Sequence, residues 1–483
     1  MPTLTSPLQN NKPRIGIIGG GIAGSTIAIK LSALGLKVSL LEQGPSLVNG
    51  PPICHLHAGG NLYREIDDEQ CLTLLRQSIA TLKLYKDSAD YRPTVIAIPK
   101  RDPGEIDQLL PRLEKLRQEY AALVDQDSSN QVLGKPMDYY TLYHRQDIER
   151  LAKLAPVNTP THCDEWLIPV AKSLDLDKLK FPLVLVQEYG LSVFRLAASA
   201  TLALDNCKSC NVHTDTQVID ISRSNNVWQV TAKQNGEPLD FSFDYLINAC
   251  GYQSGSIDDL IGQHSQRLVE FKAAYVTHWH NDTQIWPEVI IYGERGTPNG
   301  MAQLTPYPGG YFQIHGMTQD ITLFEQGLVK NCDDSAQPKL APRFLNKLNR
   351  AWPQALIEQR TDSAIDFVSE FLPDFSSATL GGKPLFGAQQ IPGQDPDLRA
   401  ADICFSQANY ARCEIVKASS AIDAAHAIVN QLIRINLLDA SAIKNVNSKQ
   451  LGLNEQAIET LAIKLAQQRN YPIQLATRLT RDN

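Results

Sequence analysis

A cluster of glycines and one acidic residue near the start of this sequence have the types and spacing to do chemistry. Gly19, Gly21 and Gly24 stand in the spacing GxGxxG. The first glycine permits a tight turn, the second lets an anion reach backbone N–H groups, and the third lets a helix lie close on a strand. Glu42 follows about 20 residues later, where a carboxylate can accept hydrogen bonds from both hydroxyls of a ribose. The pattern predicts a dinucleotide site.

The apolar periodicity around these glycines indicates the elements that must position them. Residues 15–18 predict a buried strand, the helical spacing at 23–34 predicts a helix that Gly35 ends, and residues 38–41 predict a second strand. The helix N-terminus adds partial positive charge beside the anion. The residues predicted to contact the dinucleotide in this unit are Gly19, Gly21, Ile22, Ala23, Gly24, Glu42 and Gln43.

Composition narrows the class of protein. The chain has 483 residues, of which 43% are hydrophobic and 20% charged, with a formal net charge of -7. Because one hydrophobic core rarely serves this length, we expect two domains. The acidic balance argues against nucleic acid as a partner. No apolar run is long enough to span a membrane, and we expect residues 1–13 to be a flexible tail without a signal peptide, so the expected location is the cytoplasm.

The cysteines and histidines give no metal-binding pattern. The nine cysteines are scattered and odd in number, unlike a disulfide framework, so we expect them to be reduced. Cys207 and Cys210 form a CxxC pair, but no second pair completes a zinc site. His278 and His280 alternate on one predicted strand without a third ligand at suitable spacing. We therefore predict no metal site.

The stretch DYLINACG, residues 244–251, indicates which dinucleotide is bound. It follows a predicted helix and two predicted strands, and it forms a buried strand that leads into Gly251. This order and motif resemble the D-amino-acid-oxidase-like (DAO) superfamily of FAD-dependent oxidoreductases. The resemblance implies that FAD is the cofactor, with the backbone of Val218 against the adenine and Ala249, Cys250 and Gly251 beside the diphosphate. An NAD dehydrogenase would instead place a second mononucleotide-binding half soon after the acidic residue.

The resemblance also implies the architecture. We expect an α/β fold, α+β overall, in which a Rossmann-type FAD-binding domain is interleaved with an antiparallel-sheet substrate domain. The strands predicted for the substrate sheet are 92–99, 181–190, 271–281, 288–294 and 309–317. The predicted division is a tail at 1–13, FAD-binding parts at 14–90, 191–262 and 381–436, substrate parts at 91–190 and 263–380, and a helical C-terminal appendage at 437–483.

The loop PPICHLHAGGNLYREI, residues 51–66, lies where members of this superfamily pass small residues beside the flavin ring. The resemblance implies that Ala58 and Gly59 approach the ring. Its HAG segment resembles loops of L-2-hydroxyglutarate dehydrogenases and, more loosely, of malate:quinone oxidoreductases. His57 has three interpretations: a polar contact to flavin or substrate, a covalent link to the flavin as in dimethylglycine dehydrogenases, or a structural role. His55 is a weaker candidate for each.

Three further side chains are candidates for catalysis. His315 could accept a proton as hydride leaves, or it could be a surface or core histidine. A small carboxylic acid needs a cationic anchor, and arginine binds a carboxylate through two hydrogen bonds, so Arg64 and Arg412 are candidate anchors. The resemblance places a segment before the last long helix at the pyrimidine end of the flavin; its predicted contacts are Lys417, Ala418 and Ser419.

These observations predict an oxidoreductase that transfers a hydride from the α-carbon of a small 2-hydroxy or amino acid to flavin N5. Two other functions are compatible with the sequence: an amine or amino-acid oxidase that uses O2, and a flavin-binding module without catalysis. The electron acceptor is left open between O2 and a quinone. A quinone would imply a peripheral membrane surface, for which the sequence shows no strongly basic amphipathic helix.

Overall fold

The chain folds into helices that flank two large sheets. The computed structural model describes residues 12–50, 66–280, 282, 284–350, 352–398, 401–445 and 451–479. Within this part of the chain, no helix is both long and apolar enough to cross a membrane. The helices are α1 (Ile22–Ala33), α2 (Asp68–Leu84), α3 (Leu110–Gln126), α4 (Arg145–Leu151), α5 (Cys163–Ser173), α6 (Val193–Asp205), α7 (Ser254–Leu260), α8 (Pro342–Asn349), α9 (Gln354–Ser369), α10 (Ala421–Arg434) and α11 (Glu455–Gln468).

Most of the strands belong to the two large sheets. The strands are β1 (Arg14–Ile18), β2 (Lys37–Leu41), β3 (Ala89–Asp90), β4 (Thr94–Ala97), β5 (Tyr140–Tyr143), β6 (Leu183–Val186), β7 (Gly190–Leu191), β8 (Cys210–His213), β9 (Thr216–Ser224), β10 (Val227–Gln234), β11 (Glu237–Phe243), β12 (Tyr245–Asn248), β13 (Arg267–His278), β14 (Glu288–Ile291), β15 (Ala302–Tyr307), β16 (Tyr311–Gly316), β17 (Leu328–Lys330), β18 (Thr379–Leu380), β19 (Leu385–Pro392), β20 (Asp402–Cys404) and β21 (Tyr410–Glu414).

The first large sheet is parallel, apart from an antiparallel strand at one edge. Its order is β20-β21-β12-β1-β2-β8, with β20 antiparallel to β21. Ile17 at its centre lies between Leu40 of β2 and Ile247 of β12. All three side chains are fully buried. Strands of a parallel sheet have continuous apolar sequences because helices cover both faces of the sheet. The observed sheet confirms the predicted Rossmann-type unit.

The second large sheet is mainly antiparallel and is assembled from two separate stretches of the chain. Its order is β17-β13-β16-β15-β14-β4-β6-β5, and β18 and β19 also pair with β13. The strand β13 is 12 residues long and buried along most of its length, and different stretches of it pair with β16, β17, β18 and β19. In sequence, strands β4 to β6 lie between β2 and β8 of the parallel sheet, and strands β13 to β19 lie between β12 and β20 of that sheet. The predicted interleaved fold class is confirmed.

A three-stranded antiparallel sheet, β9 to β11, is inserted in sequence between β8 and β12 of the parallel sheet. The sequence analysis predicted β9 and β10 but not β11. Asn235 and Gly236 join β10 to β11, and both have positive φ angles of 52° and 90°. An Asn-Gly pair in this conformation is the usual two-residue hairpin turn, so the missed strand did carry a local signal.

The C-terminal part of the chain, predicted as a helical appendage, packs against the rest of the fold. Helix α11 packs on α6, and its residues Ile458, Ala462 and Leu465 are buried in the same apolar core as Ile27 of α1. An amphipathic helix is stabilised by burying its apolar face, and here that face completes the main core. The antiparallel sheet also extends past residue 380, because β19 pairs with β13.

Candidate functional site

A cavity of about 690 Å³ lies between the two large sheets. One wall comes from the C-terminal ends of β1, β2 and β12 and from the turn that leads into α1. The opposite wall comes from β13, β15, β16 and β19. Ligands of open parallel sheets bind beyond the carboxyl ends of the strands. The cavity therefore occupies the place where the sequence predicts the dinucleotide.

The glycine turn has the backbone geometry that the GxGxxG spacing predicts. Gly19 adopts a φ of 98°, a backbone conformation that residues other than glycine rarely adopt. A Cβ atom on Gly24 would lie 1.9 Å from the carbonyl oxygen of Gly19, so only glycine permits this approach of helix to turn. A Cβ atom on Gly21 would meet no atom of the described residues within 4 Å. Because Gly21 also lines the cavity, its missing side chain leaves room for a ligand.

The N-terminus of α1 borders the cavity with its backbone N–H groups. Gly21 is the N-cap residue, and it supplies no side chain to cap the helix. Ile22 and Ala23 of the first turn line the cavity. The N–H groups of a first helical turn have no partner within the helix, and together with the helix dipole they bind anions. The residues present therefore fit a diphosphate.

Glu42 lies beside the glycine turn, where β2 ends. One carboxylate oxygen accepts a hydrogen bond from the N–H of Gly20 at 2.7 Å, and the other accepts one from Gly44 at 2.6 Å. Burial raises the pKa of Glu42, against the lowering effect of these two hydrogen bonds. A carboxylate has about four lone-pair sites, so Glu42 keeps acceptor capacity for the hydroxyls of a ribose.

The end of β12 forms the next part of the wall. Gly251 adopts a φ of 57° at the point where the chain passes the cavity. The thiol of Cys250 lies 3.2 Å from the carbonyl oxygen of Ile18, and burial raises the pKa of this thiol far above its usual value. Cys250 therefore lines this wall with its thiol directed to a backbone carbonyl of the glycine turn's strand.

Most of the predicted cofactor-binding residues that the structure describes meet at this cavity. Gly24 does not line it, because it packs against Gly19, and Ser419 lies behind it with its carbonyl oxygen 3.3 Å from the hydroxyl of Thr81. The predicted residues that line the cavity are Gly19, Gly21, Ile22, Ala23, Glu42, Gln43, Val218, Ala249, Cys250, Gly251, Lys417 and Ala418. The predicted residues outside the described part of the chain are His57, Ala58, Gly59 and Arg64.

The antiparallel sheet gives the opposite wall its polar groups. His315 on β16 is half-buried and lines the cavity, and its backbone pairs with Gln303 of β15, which also lines it. Lys272 on β13 places its Nζ atom 2.6 Å from Glu270 and 3.2 Å from Gln389. Three residues of this wall were not predicted from the sequence: Lys272, Gln303 and Gln389. A lysine within the mainly apolar run of residues 271–276 was the available signal for Lys272.

Arg412 does not lie in the wall of the cavity, which corrects its predicted role as a substrate anchor. It is 4% exposed, and its guanidinium donates to Asp258 at 3.0 Å and to Glu414 at 2.9 Å. Burial lowers the pKa of Arg412, but these two carboxylates outweigh it, so the pKa is raised. Asp258 and Glu414 also pair with Arg267. The guanidinium of Arg412 is therefore committed to a buried ionic cluster.

The comparison with protein families decides the class of the molecule. A profile described as DAO, FAD dependent oxidoreductase, matches residues 14–393. The chain belongs to this family. Its cofactor is FAD, and the protein is an FAD-dependent oxidoreductase. A search of curated protein sequences found no match.

Solved structures of the same fold share little sequence with this DAO-family chain. L-proline dehydrogenase from P. horikoshii has a TM-score of 0.57 at 14% identity, covering 88% of this chain and 94% of its own. Glycine oxidase from Geobacillus kaustophilus has a TM-score of 0.53 at 11% identity, covering 91% and 98%. Glycerol-3-phosphate dehydrogenase from Bacillus halodurans, complexed with FAD, has a TM-score of 0.57 at 13% identity, covering 95% and 72%.

The open space beside Gly21 gives a prediction for cofactor binding. We expect Gly21→Val to keep the fold, because a Cβ atom at this position meets no atom of the described residues and the φ of -63° suits residues other than glycine. FAD affinity should fall at least about 10- to 100-fold, because the side chain fills the diphosphate's place. Flavin fluorescence titration and thermal unfolding without FAD measure the two effects. Gly24→Ala should instead lower the unfolding temperature, and a Gly21→Val protein that keeps its flavin would contradict this geometry.

The ionic cluster gives a prediction for Arg412. We expect Arg412→Met to lower the free energy of unfolding by about 3–5 kcal/mol, because removing one member of a buried pair leaves carboxylates under-neutralised. Urea unfolding measures this loss. The exposed Arg145, which pairs with Glu149 and Asp177, is the control, and Arg145→Met should cost no more than about 1 kcal/mol. Full stability together with a raised KM would return Arg412 to the role of anchor.

Proposed function

We propose that this oxidoreductase oxidises a small 2-hydroxy acid or amino acid at its α-carbon. When bound, FAD supplies the acceptor for the hydride at flavin N5. One observation carries the proposal: the diphosphate cradle at α1 and the polar wall that includes His315 belong to a single cavity. A dinucleotide held at the first wall therefore extends toward groups that can bind and deprotonate a small acid.

His315 is the candidate base in this arrangement. Its strand is held by β15 on one side and β13 on the other, so the position of the imidazole along the wall is fixed by two ladders of hydrogen bonds. An imidazole exchanges protons near neutral pH, which suits removal of a proton from a hydroxyl or ammonium group. The proton would move to a ring nitrogen of His315 while the substrate loses its α-hydrogen as hydride.

Positive charge along the same cavity suits a carboxylate substrate. Lys272 and Lys417 both line the cavity, Lys272 on β13 and Lys417 just before the short 3-10 helix Ala418–Ser420. Lys272 is held by Glu270 and Gln389, which fixes the direction of its ammonium group. Arg64, the other predicted anchor, lies outside the described residues and remains a prediction.

The names of structurally similar proteins support both kinds of substrate. L-proline dehydrogenase, glycine oxidase and iminodiacetate oxidase are named for substrates that carry both a nitrogen and a carboxylate. L-alpha-glycerophosphate oxidase and glycerol-3-phosphate dehydrogenase are named for substrates that carry hydroxyl groups. Hydride loss from a carbon next to nitrogen or oxygen is common to both groups, and this is the reaction that we propose here.

Anaerobic reduction of the bound flavin tests the proposal directly. Purified protein is mixed without O2 with a panel of 2-hydroxy acids and amino acids, and the visible flavin absorbance is followed. We expect one of these classes to bleach the flavin. Readmission of air with detection of hydrogen peroxide then separates an O2-using oxidase from an enzyme that needs a quinone. A flavin that no member of the panel reduces would contradict the proposal and favour a non-catalytic flavin-binding module.

The role of His315 has its own prediction. We expect His315→Asn to slow flavin reduction by about 100-fold or more, because a positioned base contributes roughly that factor. FAD content should not change, since asparagine keeps the polarity of the wall. His264→Asn, at an exposed histidine outside the cavity wall, is the matched control and should react at the original rate. Equal rates for all three proteins would remove His315 from the mechanism.

A further inference from the structure

The C-terminal segment brings one charged and one aromatic side chain to the wall of the cavity that fits the dinucleotide. Helix α11 ends at Gln468, and Arg469 and Tyr471, which follow it directly, both line the cavity. The family profile matches only residues 14–393, so these residues lie outside the part of the chain that identifies the family. The segment is held in place by the burial of α11 against α6 and by the ion pairs of Arg478 with Asp87 and Glu455.

The guanidinium of Arg469 is bound by neutral acceptors. Its Nη1 atom donates to the carbonyl oxygen of Val48 at 3.1 Å, and its Nη2 atom donates to that of Leu47 at 2.9 Å and to the hydroxyl of Ser46 at 3.1 Å. Its Nε atom is buried and has no hydrogen-bond partner among the described residues. No carboxylate in the described part of the chain forms an ion pair with Arg469, although Glu42 is close enough for its charge to raise the pKa of Arg469 without contact.

A second cation lies next to Arg469. The Nζ atom of Lys383 donates to the carbonyl oxygen of Arg469 at 2.9 Å and lies 4.5 Å from the ring centre of Tyr471. Lys383 also lines the cavity, and it too makes no ion pair with a carboxylate of the described residues. Burial lowers the pKa of Arg469 to about 10, and burial together with Arg469 lowers the pKa of Lys383. Two partly buried like charges favour an anionic ligand that neutralises them.

The loop that Arg469 holds leads to the glycine turn. Residues 42–50 follow β2, and the N–H of Val48 in this loop donates to the carbonyl oxygen of Gly20 at 2.9 Å. Arg469 therefore contacts the same loop that contacts the glycine turn before α1. This places Arg469 at the end of the cavity where the geometry fits a diphosphate. Lys272 and His315, which suit a substrate carboxylate, come from β13 and β16 of the antiparallel wall instead, whereas Lys383, just before β19 of that wall, contacts Arg469 itself. The diphosphate is thus the anion that this position favours.

We propose that Arg469, assisted by Lys383, is a cofactor-binding residue whose charge neutralises the diphosphate of FAD. A guanidinium presents several donors in a plane and binds phosphate oxygens with charge-assisted hydrogen bonds. Arg469 also fixes the loop 46–48 through its three contacts, so one side chain both orders the loop and supplies charge to the ligand. This inference rests on the family's cofactor and does not depend on the substrate proposed above.

Binding titrations of the full-length chain test this proposal. FAD, ADP and riboflavin are titrated into protein freed of flavin, and fluorescence gives each dissociation constant at low and high salt. We expect Arg469→Met to weaken FAD and ADP about 10- to 100-fold, the range for losing one charge-assisted contact. Riboflavin, which lacks a diphosphate, should bind as before. Lys383→Met should weaken FAD and ADP less, and Arg469→Lys should restore part of the affinity because it keeps the charge.

Controls separate a diphosphate contact from other roles of Arg469. Lys464→Met removes an exposed charge from α11 and should leave all three dissociation constants unchanged. Unchanged ADP and FAD affinity in Arg469→Met would overturn the proposal, as would an equal loss for riboflavin, which indicates a general loss of structure. Weaker binding of a carboxylate such as pyruvate with unchanged FAD affinity would place Arg469 at the substrate end and would also overturn it. If Arg469→Met does not fold, the Lys383→Met titrations decide the question in the same way.

Discussion

The free N–H groups at the start of α1 impose the constraint on which the rest of this structure depends. A helix N-terminus inside a protein needs partners, and here no side chain of the N-cap residue supplies one. The chain leaves the space in front of the helix open with Gly21 and brings the helix close to the turn with Gly24. An anion with several oxygens satisfies these donors, which is why an FAD-dependent oxidoreductase needs glycine at these positions.

Buried ion pairs hold the two walls of the cavity in a fixed relation. Arg267 at the start of β13 pairs with Glu414 on β21 and with Asp258 on α7, so charges from both sheets meet in one cluster. A second cluster joins Arg92 to Asp90 and Glu288, with Arg195 of α6 also bound to Asp90. Buried pairs of this kind are costly to break, because removing one partner leaves an unpaired charge. They fix the distance between cradle and polar wall before any ligand binds.

The sequence was sufficient for those parts of the fold and site that depend on local pattern. The glycine turn, Glu42 and the strand that leads to Gly251 each carry their signal within a few neighbouring residues. Arg412 could not be assigned in this way, because its partner Glu414 is near in sequence but Asp258, which completes the buried cluster, is far away in sequence.

Residues brought to the cavity by tertiary packing were beyond the reach of sequence patterns. Gln303 faces the cavity because β15 pairs with β16 in one particular register, and no motif encodes that register. Arg469 reaches it only because α11 buries an apolar face against α6, which the sequence analysis treated as an appendage. Such contributions depend on which surfaces meet, and amphipathic periodicity alone does not identify the partner surface.

A crystal structure of this protein with FAD bound would show directly whether the N-terminus of α1 holds the diphosphate. We expect diphosphate oxygens about 3 Å from the backbone N–H groups of Ile22 and Ala23, with a ribose hydroxyl at the carboxylate of Glu42. A diphosphate bound away from the N-terminus of α1, or a ribose that does not reach Glu42, would contradict the central claim.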